Sequence, residues 1–112
     1  MKINEKASGD IVILELSGNI MGGPDATLLN DKLHELIETD KTKIVADLGN
    51  VSWMNSSGLG ILIGGLTTMR NSGGDLKLAN ITDRIQSLLM ITKLLTVFET
   101  FETTEKAVDS FS

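Results

Sequence analysis

The chain has 112 residues, 41% of them hydrophobic and 22% charged, which suits one domain with one core and not two. A net charge of -5 argues against nucleic acid, whose phosphates call for a basic face, and against docking on anionic lipid. There is no cysteine for a disulfide, a thiolate nucleophile or a zinc–thiolate site; no apolar run nears the ~20 residues of a membrane span, and MKINEKASGD lacks the apolar core of a signal peptide, so a cytoplasmic protein is expected.

Residues 2 to 17 read as two strands forming a hairpin. Asp10-Ile-Val-Ile-Leu-Glu-Leu-Ser17 is rich in β-branched and aliphatic residues, and Ser8-Gly9-Asp10 supplies turn chemistry before it. Gly18 to Pro24 is a loop, with Pro24 suited to the first turn of the following helix. In that helix Ala26, Leu29, Leu33 and Leu36 recur at steps of three and four, widened by Leu28 and Ile37, while Asp31, Lys32, Glu35 and Glu38 take the wet side. Lys43 to Leu48 reads as a strand buried on both faces, as in a parallel sheet.

Asn50 to Arg70 opens as a loop and runs into an apolar helix, stopped by Asn71-Ser72-Gly73-Gly74. Asp75 to Ala79 is a further strand, and Thr82 caps a helix with Ile85, Leu88 and Leu89 inward. Val97 to Phe101 reads as a last strand and Thr103 to Ser110 as a last helix. The order β-β-α-β-α-β-α-β-α predicts a single α/β domain over 1–112. Its mixed, mainly parallel sheet has four to five strands, the first antiparallel, with about four helices around it.

The Asn50–Arg70 stretch carries the functional signal. With the helix beginning near Ser56, Leu59, Leu62, Ile63, Leu66 and Met69 share one buried face. The opposite face holds Ser57, Gly60, Ile61, Gly64 and Thr68, and no charge occurs before Arg70. A glycine inside a helix costs about 1 kcal/mol relative to alanine, yet Gly60, Gly64 and Gly65 all lie here. Two explanations stand together: close packing on a neighbouring element, or a smooth surface on which another protein docks. Ser56, or Asn55 before it, reads from residue chemistry as an N-cap. The same helix start also favours a phosphate, through its unpaired N–H groups and partial positive charge.

Other chemistry finds no constellation. Gly58-Leu-Gly60-Ile-Leu-Ile-Gly64 resembles a dinucleotide loop only superficially, because its glycines sit inside the helical pattern rather than after a first strand. There is no P-loop motif, and Met54-Asn55-Ser56-Ser57-Gly58 lacks the leading glycine of a nucleophile elbow. His34, the only histidine, reads as a solvated helix residue rather than a metal ligand or triad member. No catalysis, metal or cofactor is expected.

Val45-Ala-Asp-Leu48, followed by Val51-Ser-Trp-Met-Asn-Ser-Ser-Gly-Leu-Gly60, resembles the central signature of STAS domains, and more narrowly of bacterial anti-sigma factor antagonists. Leu16 to Ile20, Gly73 to Leu78 and Leu89 to Phe98 extend the resemblance over nearly the whole chain. It implies a protein that, unphosphorylated, binds an anti-sigma factor that is itself a serine kinase, and so frees a sigma factor. That kinase phosphorylates the first serine of the Ser-Ser-Gly pair, here Ser56, and a serine phosphatase restores binding. The resemblance and the uncharged helix face together imply partner contacts at Met21, Asn55, Ser57, Gly58, Gly60, Ile61 and Gly64. The chain departs from the family at Asn55, where aspartate is frequent, and at Met21, near which an acidic residue falls. It departs also at Gly22-Gly23-Pro24, and at Lys93 and Leu95, commonly glycine and aspartate. The alternative within the family is a constitutive scaffold or ligand-binding module in a transport-associated or sensory complex.

Overall fold

A computed structural model of the chain describes residues 1–94 and 96–111. Among these, the elements run β1 Lys2–Ser8, β2 Ile11–Ile20, α1 Pro24–Glu38, β3 Lys43–Met54, α2 Ser56–Asn71, β4 Asp75–Ala79, α3 Asp83–Ile91, β5 Thr100–Phe101 and α4 Thr104–Asp109. The sheet is ordered β1-β2-β3-β4-β5; β1 is antiparallel to β2 and every other pair is parallel. This is the mixed α/β fold with a mainly parallel sheet that the alternating pattern requires.

Period-two alternation divides the strands between two unequal cores. Val12, Leu14 and Leu16 of β2, Ile44, Ala46 and Leu48 of β3, and Leu76 and Leu78 of β4 point to the larger one. There they meet Leu29, Leu33 and Leu36 of α1, Leu59, Leu62, Leu66 and Met69 of α2, and Ile85 and Leu89 of α3. Ile11, Val45 and Ala79 point the other way and meet Ala107 of α4. On that smaller side Lys77 is buried, which its sequence context does not announce. Its Nζ donates to Ser110 Oγ at 2.7 Å, pairs with Glu99 Oε2 at 3.1 Å and stands 4.2 Å from the centre of the Phe111 ring.

Three details correct the sequence reading. Asn50 to Met54 is not a loop: β3 continues through it beside β2. It takes two bulges to do so, since Glu15 and Ser17 face Asp47 and Asn50, and Gly18 and Asn19 face Val51 and Trp53. Asp47 supports the first bulge, its Oδ1 accepting from Gly49 N–H at 2.9 Å and from Asn80 Nδ2 at 3.0 Å. The final strand is short, Thr100–Phe101, because Val97 is taken into a turn in which its N–H donates to the Leu94 carbonyl at 3.0 Å. Ala26 is exposed rather than inward, and Leu28 remains 45% exposed.

Helix ends follow local chemistry. Gly73 (φ 83) ends α2, and Asp40 (φ 62) and Lys93 (φ 62) take the equivalent left-handed position after α1 and α3. Lys93 thus occupies a conformation that favours glycine. Leu95 lies outside the described residues.

Candidate functional site

β2 and β3 are parallel neighbours, so their C-terminal ends lie side by side, with Ile20 opposite Met54. Each strand hands over to a helix from there. α1 begins after the Met21–Gly23 loop, and α2 begins at Ser56. Crevices beyond the carboxyl ends of parallel strands are where open α/β sheets place their binding sites.

Asn55, not Ser56, caps α2. Its backbone is extended, and its Oδ1 accepts from the Gly58 N–H at 2.7 Å. Of the four N–H groups that a helix start leaves without an intrahelical partner, two are taken: Asn55 N–H by the Ile20 carbonyl at 3.4 Å, and Gly58 N–H by the cap. The N–H groups of Ser56 and Ser57 are the remaining two. Ser56 occupies the first helical position and is exposed, and no hydrogen bond among the described residues engages its hydroxyl. The seam therefore offers a free hydroxyl beside two free donors at the positive end of a 16-residue helix.

The glycines divide by role. Gly58 is buried, and a β-carbon there would run into the Ile20 carbonyl oxygen. It lets the two handover points touch and offers no outward surface. Gly65 is also buried, with Leu33 Cδ1 3.0 Å from where its β-carbon would be, so close packing of α2 on α1 explains it. At Gly60 and Gly64 a β-carbon would meet nothing within 4 Å. Those two are exposed and face open space.

That space is a groove of ≈ 600 Å³ between α1 and α2. Gly60, Ile61, Gly64 and Thr68 form one wall, Ala26, Thr27 and Asn30 the other, and Leu29, Leu33 and Gly65 the floor. Ser57, Gly22 and Gly23 close the end nearest Ser56. Among the described residues no charged one lines it. The sequence pattern finds the α2 wall but not the α1 wall. A signal for the latter exists in retrospect: Ala26, Thr27 and Asn30 make an uncharged strip on a helix whose charged exposed residues, Asp31, Glu35 and Glu38, lie elsewhere on its surface.

Met21 is 48% exposed, with its N–H bonded to Asp25 Oδ2 at 3.2 Å and its carbonyl to Asn55 Nδ2 at 3.4 Å. Ser57 is exposed, Ile61 partly buried, and Trp53 is 38% exposed two positions before Asn55. His34 is exposed on α1. Among the described residues no group of three or more His, Cys, Asp or Glu side chains is placed to hold a metal, and no helix is long and apolar enough to cross a membrane.

Comparison with known proteins identifies the family that the chain resembles. The family model for the STAS domain matches residues 2–107. An anti-sigma-B factor antagonist of Bacillus subtilis (strain 168) is 34% identical over 88 residues, spanning 76% of this chain and 80% of the relative. Among solved structures, an anti-sigma factor antagonist from Mycobacterium paratuberculosis superposes with a TM-score of 0.81 at 18% identity, covering 97% of this chain and 92% of that one. The Bacillus protein SpoIIAA superposes in its phosphorylated form with a TM-score of 0.74 at 19% identity, covering 99% of this chain and 100% of that one. At such identities the structural likeness speaks for the fold alone.

Proposed function

The chain belongs to the STAS domain family, and we propose that it is an anti-sigma factor antagonist switched by phosphorylation of Ser56. It is a binding module acting in the cytoplasm, not a catalyst. Unphosphorylated, it binds an anti-sigma factor through the start of α2 and the uncharged groove beside it, and a sigma factor is released. The anti-sigma factor is itself the serine kinase that modifies Ser56, and a serine phosphatase removes the phosphate.

The observation that carries this reading is the free Ser56 hydroxyl at the head of a groove with no charged lining residue. A kinase reaches an exposed hydroxyl that no protein group holds. The phosphate it adds brings about -1.5 to -2 charge at neutral pH. Within the antagonist, the free N–H groups of Ser56 and Ser57 and the helix dipole offset part of that charge. The fold itself therefore has little reason to change. A partner seated on small neutral residues would have to strip water from a dianion without supplying a counter-charge, and desolvating a charge without a partner is costly. The switch is thus one of surface charge. The resemblance to an anti-sigma-B factor antagonist over most of the chain supports the identity of the partner class.

The test is incubation with the cognate anti-sigma kinase and ATP, followed by mass spectrometry. One phosphate is expected, lost in Ser56→Ala, and Ser56→Asp is expected to weaken binding of the anti-sigma factor. Modification of Ser56→Ala to the same extent as wild type would sink the site assignment. Trp53 gives an independent fluorescence signal for docking.

A further inference from the structure

The two ends of the Met21 backbone are held by side chains from two different helix starts. Asp25, in the first turn of α1, takes its N–H at 3.2 Å, and Asn55, the cap of α2, donates to its carbonyl at 3.4 Å. The orientation of Asn55 is fixed separately, since Oδ1 receives the Gly58 N–H at 2.7 Å and only the amide nitrogen is left to face Met21. The next two residues, Gly22 (φ 106) and Gly23 (φ 61), are conformationally permissive, so the loop has little stiffness of its own. The ties hold it, yet the Met21 side chain stays 48% exposed.

We propose that Asn55 is a positioning residue that determines partner specificity: it fixes Met21 as an apolar anchor beside Ser56. The anti-sigma factor, on this view, offers an apolar pocket there. The inference rests on the antagonist reading given above. Its chemical basis is the double demand on residue 55. Serine, aspartate and asparagine all cap helices well, but of these only asparagine both accepts from Gly58 and donates across to a carbonyl. Aspartate would keep the cap, and its charge suits a helix start. Its second oxygen, however, would face the Met21 carbonyl oxygen, acceptor against acceptor. Serine would cap but is too short to bridge to Met21. A flexible, polarizable methionine on a fixed backbone suits an irregular apolar pocket.

The experiment measures affinity for the purified cognate anti-sigma factor, thermal stability, and amide exchange of Met21 and Gly22. Wild type is compared with Asn55→Asp, Asn55→Ser, Met21→Ala, Met21→Leu, Met21→Glu and the double variant Asn55→Asp/Met21→Ala. Asn55→Asp is expected to fold as stably as wild type, to exchange faster at Met21 and to bind about fivefold more weakly, the scale of one lost hydrogen bond. In the Met21→Ala background the same change is expected to add less than about twofold, because contacting groups are non-additive. Met21→Leu is expected to stay within about twofold and Met21→Glu to lose about tenfold or more. Equal binding by Asn55→Asp would overturn the proposal. So would an equal loss in the Met21→Ala background, which would mean that the new charge acts by itself. Ser56→Asp is the control for the underlying reading. If it binds like wild type, the phospho-switch fails; if it binds weakly while Asn55→Asp is unaffected, only the anchor fails.

Discussion

Gly58 and Ile20 touch through their backbones: a β-carbon on Gly58 would enter the space of the Ile20 carbonyl oxygen. That same carbonyl accepts the Asn55 N–H. The end of β2 and the start of α2 are thus joined at one point, and Ser56 and the Met21 loop take their mutual position from it. Gly58→Ala therefore collides first with backbone, which cannot swing aside as the nearby Met54 side chain could. We expect it to destabilise the fold by at least about 2 kcal/mol, as overpacking against backbone does. Urea unfolding measures this, and a change below the error of the method would contradict the packing described.

Gly60 and Gly64 should behave in the opposite way. Both are helical, and a methyl group on either meets nothing within 4 Å. Alanine at each is expected to raise stability by about 0.5–1 kcal/mol. The methyl would stand in the groove, where overpacking against a docked partner costs about 1–3 kcal/mol. The signature is a variant that unfolds later and binds the anti-sigma factor less well. If Gly64→Ala gains stability and keeps full affinity, the groove is not the docking surface.

Lys77 offers a test of how α4 is held. Its ammonium is enclosed by Ser110, the carboxylate of Glu99 and the Phe111 ring. Lys77→Met keeps most of the volume and removes a buried charge, so a change within about 1 kcal/mol is expected. Lys77→Ala leaves a void beside α4 and is expected to cost about 2 kcal/mol. Hydrogen exchange should localise the loss to α4 and β5, leaving the α1–α2 groove protected as in wild type.

The acid limb of stability should respond to two carboxylates of the β1–β2 hairpin. The hydrogen bond from Lys43, and then its charge, holds Asp10 below its ordinary range. Hydrogen bonds from Asn4 and then Lys6 do the same for Glu15. A carboxylate whose folded-state value is depressed contributes stability above its unfolded value and loses it as pH falls through the folded one. These contributions are therefore complete by about pH 5 and fade below about pH 4. Asp10 is exposed and Glu15 partly so, so the effect is small and shrinks with added salt. Lys43→Met should flatten the part due to Asp10, seen as a smaller drop in the urea midpoint between neutral and acid pH at low salt.

Much of this protein was legible from residue order. The β-branched and aliphatic runs at residues 11–16 and 44–48 and the Leu29, Leu33, Leu36 spacing expose the sheet and its covering helices, because each pattern is a local consequence of backbone geometry. The Asn-Ser-Ser-Gly junction and the chargeless face after it single out the candidate site for the same reason. Contacts between segments far apart in sequence are another matter. That Asn55 rather than Ser56 is the cap depends on which side chain reaches Gly58, and its second bond depends on Met21, 34 residues earlier. Gly58, Gly60, Gly64 and Gly65 are alike as letters. Ile20 and Leu33 confine two of them, while α1 leaves a groove over the other two. Residue order determined that a serine would stand at the start of a helix free of charge until Arg70; the packing of α1 on α2 and of β2 on β3 decided what surrounds it, because only the folded chain sets those distances.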